Sequence, residues 1–175
     1  MTNKELKKNL EDCVNCGLCY KVCPMMNTFG ESPKNILRDI DKNKISYDEI
    51  AYSCMLCNAC TEACPKDINL KEMFQNLRNK IKEARERQKF RFKDLEITYN
   101  SQMKHSQIQS LIRLDKECHE VLNNIYTRFS LSSRALDRII KLSRTIADIN
   151  GSEDIKKSNI YEALNYRKNL EGEVI

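Results

Sequence analysis

The sequence predicts an all-α fold, and three observations carry that prediction. Only four glycines and three prolines occur in 175 residues, too few for the turns of an all-β chain. Apolar residues recur at three- and four-residue intervals in several long stretches, the rhythm of one helix face. Helix start and stop signals sit at the ends of those stretches. A composition 41% hydrophobic and 31% charged suits a soluble, helix-rich chain. No run of apolar residues is long enough to predict a membrane span.

Taken in order, Lys4 to Leu10 makes a short amphipathic turn with Leu6 and Leu10 on one face, expected to lid the segment from Cys13 onward. Ser32 is an N-cap with Pro33 at the first helical position, followed by Ile36, Leu37 and Ile40 at helical spacing. Ser46-Tyr47-Asp48-Glu49 has capping-box form and predicts a second short helix that runs through Ile50, Ala51 and Tyr52 into Cys54. Asn69, with Glu72 three residues later, starts a helix expected to reach the high 80s and to bury Leu70, Met73, Phe74, Leu77 and Ile81. Asp115 caps a helix carrying Cys118, Val121, Leu122, Ile125, Tyr126 and Phe129 on one side. Ser132 or Ser133 caps the next, which buries Ala135, Leu136, Ile139, Ile140, Ser143, Ile146 and Ala147 before Asn150-Gly151 stops it. A last helix opens at Ser158 or Asn159 with Ile160, Ala163, Leu164 and Tyr166. Residues 80–175 therefore read as a bundle of four or five helices.

Eight of the nine cysteines fall into one motif written twice: Cys13, Cys16, Cys19 and Cys23 before Pro24, then Cys54, Cys57, Cys60 and Cys64 before Pro65. Each run reads C-x2-C-x2-C-x3-C-P. Three closely spaced thiolates grip one [4Fe–4S] cluster, while the offset fourth, held away by proline, ligates another. That rule assigns Cys13, Cys16, Cys19 and Cys64 to one cluster, and Cys54, Cys57, Cys60 and Cys23 to a second. Zinc asks for two cysteine pairs and has no need of the offset cysteine or the proline. A disulfide framework belongs to secreted chains, whereas Met1 is followed by polar residues with no apolar signal region, so a reducing cytoplasm is the expected location. Val14, Leu18, Val22, Met25, Met26, Met55, Leu56 and Ile68 are expected to form a dry shell around the clusters, the methionines as packing rather than ligands.

Residues 71–93 carry nine Lys and Arg against three Asp and Glu, which holds the whole positive surplus of the chain. A basic helical face of this kind steers an acidic redox partner or contacts phosphates, with Lys82, Arg85 and Arg87 as the candidate contacts; a solvated face is the plainer expectation. Phe90 and Phe92 are expected to pack inward. Cys118 and His119 are adjacent but point about 100° apart on a helix, so a buried thiol and a surface imidazole are expected there. His105 is expected to stand alone in a polar loop.

Two resemblances extend this reading. With its doubled cysteine run and helical spacer, the segment 1–78 resembles the α-helical ferredoxin module of the heterodisulfide reductase C subunit and of the iron–sulfur subunits of anaerobic glycerol-3-phosphate and succinate dehydrogenases. That resemblance implies electron relay between a catalytic subunit and a partner carrier, although the cysteine-rich CCG segments of several relatives are absent. Further on stand Ala84-Arg85-Glu86-Arg87-Gln88, Tyr99-Asn100-Ser101-Gln102-Met103, Leu131-Ser132-Ser133-Arg134-Ala135-Leu136-Asp137-Arg138, Arg144-Thr145-Ile146-Ala147-Asp148 and Ile160-Tyr161-Glu162-Ala163-Leu164-Asn165-Tyr166-Arg167. These resemble the C-terminal helical lid of magnesium-chelatase-related AAA+ ATPases, the competence-associated branch in particular. In that lid an arginine matching Arg134 senses the nucleotide γ-phosphate. This chain has no G-x4-G-K-[ST] loop to hold a nucleotide, so Arg134 would act only with a partner's ATPase core.

The expectation is thus an electron-transfer protein with two [4Fe–4S] clusters in residues 1–78, a helical partner-docking module in 80–175, no catalytic residues of its own and no membrane insertion. A redox partner protein is implied. The alternative is a redox-responsive or structural iron–sulfur regulator of a chelatase-type AAA+ ATPase or of a nucleic-acid complex.

Overall fold

Local capping chemistry decides where the helices begin in the computed structural model, which describes residues 8, 11–25, 32–41 and 51–170. The elements, in order, are α1 (Leu18–Val22), α2 (Pro33–Asp41), α3 (Ala59–Glu62), α4 (Leu70–Arg91), a 3-10 turn (Asn100–Gln102), α5 (His105–Leu111), α6 (Lys116–Arg128), α7 (Ser133–Ile149) and α8 (Lys157–Leu170). Residues 51–53 are helical as well, and the described residues contain no strand. The chain is all-α. The expected turn at Leu6 and Leu10 and the capping box at Ser46 lie outside the described residues.

Four N-caps are formed by the residues that the sequence points to. Ser32 Oγ accepts from the Asn35 amide at 3.2 Å, Asn69 Oδ1 from Glu72 at 3.0 Å, Asp115 Oδ1 from Cys118 at 2.7 Å and Ser132 Oγ from Ala135 at 3.3 Å. Each satisfies an amide that the first turn leaves without a partner. At the far end of α7, Gly151 is left-handed with φ 71°. There the Ser152 amide donates to Ala147 O at 2.9 Å and the Gly151 amide to Asp148 O at 3.2 Å, the paired bonds of a Schellman stop. The last helix starts at Lys157 rather than at Ser158 or Asn159. Asn159 lies inside it and caps backward, its Oδ1 accepting from the Lys156 amide at 2.9 Å.

The chain divides into two compact units, Met1–Ile81 and Lys82–Ile175, with the division inside α4. In the first unit Leu70, Met73, Phe74, Leu77 and Ile81 are buried along one stripe of α4, together with Ile36 of α2, Ala51 and Ile68. In the second unit the core joins Phe92, Met103 and Ile108 to Cys118, Leu122 and Ile125 of α6, Ile139, Ile140 and Ala147 of α7, and Ile160 and Ala163 of α8. Burying each such large aliphatic side chain stabilises the fold by about 1.5–3 kcal/mol.

Three expectations about facing are corrected. Phe92 is buried but Phe90, two residues earlier, is 76% exposed with Lys93 Nζ 5.5 Å from its ring centre. Helical geometry turns residues two apart to different faces. Tyr126 and Phe129 are also exposed. The buried line of α6 runs through Cys118, Leu122 and Ile125, and Phe129 falls at the C-cap where helical geometry ends.

Candidate metal centre

Each cysteine run is wound by two residues in the left-handed region. In the first run these are Asn15 (φ 57°) and Gly17 (φ 73°), and in the second Leu56 (φ 55°) and Asn58 (φ 71°). One member of each pair sits just before the second cysteine and the other just after it. Left-handed residues set among right-handed ones turn backbone amides toward one side and form a concavity that suits an anion. Gly17 and Asn58 then become the N-caps of α1 and α3. Glycine and asparagine tolerate this conformation, but in Leu56 it costs about 1–2 kcal/mol. Strain of that kind persists where the surroundings over-determine the backbone.

Wound this way, the two runs line two cavities. Cys13, Cys16, Cys19 and Cys64 face one, whose wall includes Ser32, Lys34, Ile68 and Leu70. Cys54, Cys57, Cys60 and Cys23 face the other, with Pro33, Lys71 and Phe74. In each cavity three cysteines come from one run and the fourth from the other. α4 contributes Leu70 to the first and Phe74 to the second, and its start is tied to α3 by the Lys71 amide donating to Thr61 Oγ1 at 3.1 Å. Cys16 and Cys57, the second cysteines of the runs, are exposed, whereas Cys60 is buried.

The donor set fits an iron–sulfur cluster. Four cysteine sulfurs line each cavity, and among the described residues no three Cys, His, Asp or Glu side chains close on a single-ion position. A lone zinc ion with Zn–S bonds of about 2.3 Å would draw its sulfurs to about 3.8 Å of one another, while a cubane needs them farther apart.

Burial governs the free thiols. It pushes Cys19 and Cys54 up, and Cys60 up to about 11. The amides of Lys34 and Tyr20 favour the Cys19 thiolate against this, as do the Leu56 amide, 3.5 Å from Cys54 Sγ, and the Arg78 charge at Cys54. A Cys60 thiol with that affinity for its proton becomes a ligand only when a cation replaces the proton.

The expected dry shell forms in part. Ile68 is buried and Leu56 and Met25 are half-buried, but Val14, Leu18 and Val22 are exposed and Met55 is 65% exposed; Met26 lies outside the described residues. A backbone that aims every third residue inward turns the side chains between them outward. Pro33, Leu70 and Phe74 supply the apolar wall instead.

The basic residues of α4 divide by what they touch. Lys82 and Arg85 are exposed, but Arg87 donates to Asp148 O at 3.0 Å and pairs with Glu83 at 3.6 Å. Arg91 grips the Asp148 carboxylate with both terminal nitrogens, at 2.9 and 2.6 Å. Arg78 donates to backbone carbonyls of residues 51, 52 and 54. These three arginines are structural contacts, not parts of a solvated face. Arg134 is exposed in the first turn of α7.

His105 is not alone. It opens α5, and its Nδ1 stands 2.9 Å from Asp137 Oδ1 while its Nε2 meets Gln109 at 3.1 Å. Cys118 is fully buried, its Sγ–H donating to Ile155 O at 3.3 Å, and burial pushes its thiol up to about 11; His119 is exposed.

A buried polar network went unread in the sequence. Asp148, with no exposed surface, receives Arg91, Arg144 and Asn100, the last through Nδ2 at 2.8 Å. Asn100 also accepts from Arg91 at 2.9 Å and donates to Thr145 Oγ1 at 3.1 Å, and its amide donates to Gln88 Oε1 at 3.1 Å. Arg144 is completed by the carbonyls of Ser152 and Glu153, both at 2.6 Å. All the acceptors around these two guanidiniums are fixed, so their burial is compensated. The signal lay in the spacing of Arg144 and Asp148, i and i+4 on a face that is otherwise apolar.

Two family models match separate stretches of the chain. Residues 9–68 match the model of the 4Fe-4S dicluster domain, and this part of the chain is of a [4Fe–4S]-binding kind. An iron-sulfur C subunit of the CoB–CoM heterodisulfide reductase of Methanocaldococcus jannaschii is 29% identical over 79 residues, covering 43% of this chain and 42% of that protein. The C subunit of the ferredoxin:CoB-CoM heterodisulfide reductase of Methanosarcina mazei is 32% identical over 68 residues, 38% of this chain and 42% of that one. Lactate utilization protein B of Exiguobacterium sp. is 31% identical over 87 residues, 45% of this chain and 19% of that one. The chain spans less than half the length of the curated relatives it matches. No solved structure matches, and no helix among the described residues is long and apolar enough to cross a membrane. Over residues 71–167, more than half its length, the chain matches the model of the magnesium chelatase ChlI subunit, C-terminal part, and it belongs to that family.

Proposed function

We propose that the chain is an iron–sulfur electron-transfer protein that holds two [4Fe–4S] clusters in residues 1–78 and docks a partner through the helical residues 80–175. One observation carries the reading: each of two cavities is lined by three cysteines of one run and the fourth of the other. On this reading Cys13, Cys16, Cys19 and Cys64 hold one cluster, and Cys54, Cys57, Cys60 and Cys23 hold its counterpart. The clusters supply one-electron transfer without making or breaking bonds. The residues of the chain supply thiolates, amides turned toward the sulfurs and an apolar wall that keeps part of the surface dry. The exposed Cys16 and Cys57 mark the sides from which an electron enters or leaves. The partner is a redox protein, in keeping with the reductase subunits among the relatives, and the place of action is the cytoplasm.

The test is anaerobic iron analysis with potentiometric reduction. About eight irons per chain and two one-electron steps are expected, with the cluster signals lost when Cys23 and Cys64 are both replaced by serine. Iron content far below that, or a spectrum indifferent to the double replacement, rejects the reading.

The chelatase family match favours a second reading, in which the helical unit regulates an AAA+ ATPase. Arg134, exposed on α7, would then meet nucleotide held by a partner's core. Co-purification with a chelatase-type ATPase, abolished by Arg134→Ala, supports this. Salt-dependent retention on DNA, lost on charge reversal of Lys82, Arg85 and Arg87, supports a nucleic-acid role instead.

A further inference from the structure

Arg78 lies on α4, more than twenty residues past the start of the second cysteine run, yet its guanidinium serves that start. Nε donates to Ala51 O at 2.7 Å, and Nη2 donates to Tyr52 O at 3.3 Å and to Cys54 O. The face of the Tyr52 ring lies 5.5 Å from the guanidinium carbon. Residues 51–53 end a helix, whose last carbonyls lack intrahelical partners and favour a cation. One side chain thus closes a helix end and fixes the first cysteine after it. The first run is approached differently: Lys34 Nζ donates to the Asn15 side chain at 3.5 Å.

We propose that Arg78 is a positioning residue for the second cysteine run, and that its fixed charge makes the cluster held by Cys54, Cys57, Cys60 and Cys23 the first to be reduced. This rests on the two-cluster reading above. Reduction by a one-electron donor such as dithionite adds one negative charge to a cluster and breaks no bond. A permanent cation held beside the ligands favours that more negative state, and guanidinium keeps its charge at any working pH. Lys71 and Lys34, which line the two cavities, are single ammonium groups on flexible stems and offset one another between the sites.

The experiment is a dithionite titration of the full chain, loaded with iron anaerobically and followed by electron paramagnetic resonance, in the unvaried protein, R78Q and R78K. The unvaried chain first tests the reading beneath the proposal: one step with about four irons rejects the two-cluster assignment itself. Given two steps, R78Q is expected to lower only the higher one, by roughly tenfold in the reduction equilibrium or about 59 mV. R78K, which keeps the charge but not the three-carbonyl grip, is expected to retain most of that potential with an altered resonance signal. A shift in neither step, in both alike, or in the lower alone overturns the proposal. If R78Q keeps only about four irons, the surviving step should be the lower one, and survival of the higher overturns it. Where R78Q takes up no iron, R78K is decisive: loss of the gap between the two steps overturns the proposal.

Discussion

The two units bury their side chains in different ways. In residues 82–175 the core is closed by the chain alone: Ile139, Ile155 and Ile160 are almost wholly buried, and the charged groups inside are matched to one another around Asp148. In residues 1–81 one face of α4 is covered, and the next layer is made of half-buried cysteines, Cys13, Cys19, Cys23, Cys54 and Cys64 among them. Apolar periodicity suffices to organise the second unit. The first leaves sulfur where a core would have hydrocarbon, so its short helices α1 and α3 depend on what the sulfurs bind.

Removing iron should therefore separate the units most sharply. Chelation under mild oxidation of the loaded chain is expected to abolish amide-exchange protection in α1, α2 and α3 while α6 and α7 keep theirs; parallel loss in both would erase the contrast. The next largest effect lies in the other unit. Asp148→Ala strands Arg91 and Arg144 without their counter-charge and is expected to cost about 3–5 kcal/mol in urea unfolding reported by α7, with iron content unchanged. A cost below about 1 kcal/mol would mean that the guanidiniums find other partners or water. Smallest is the loss of a cap: Ser132→Ala should lower the stability of the same unit by about 1 kcal/mol and leave iron content unchanged.

Local rules read much of this fold. Ser32, Asn69, Asp115 and Ser132 cap as their neighbours require, because capping is settled within four residues. The stripe from Leu70 to Ile81 is buried for the same reason: periodicity is local. What escaped depends on partners distant in sequence. Arg78 and Arg91 look like a basic surface until residues 51, 54 and 148 are brought to them. His105 needs Asp137, 32 positions away, to cease standing alone. The sites showed the same boundary. Cysteine spacing picks out the residues that line the two cavities, but the outward turn of Val14 and Met55 follows from left-handed residues, of which only Gly17 and the asparagines leave a readable trace.

Leu56 makes one of those turns visible in another way. The backbone there asks for an amino acid that a substitution table would never suggest: glycine or asparagine would sit more comfortably than valine or isoleucine, for all their likeness to leucine in hydropathy. A library randomised at this codon and sorted for brown, iron-bearing colonies should thus be ranked by backbone tolerance instead of by greasiness, with β-branched replacements the first to drop out.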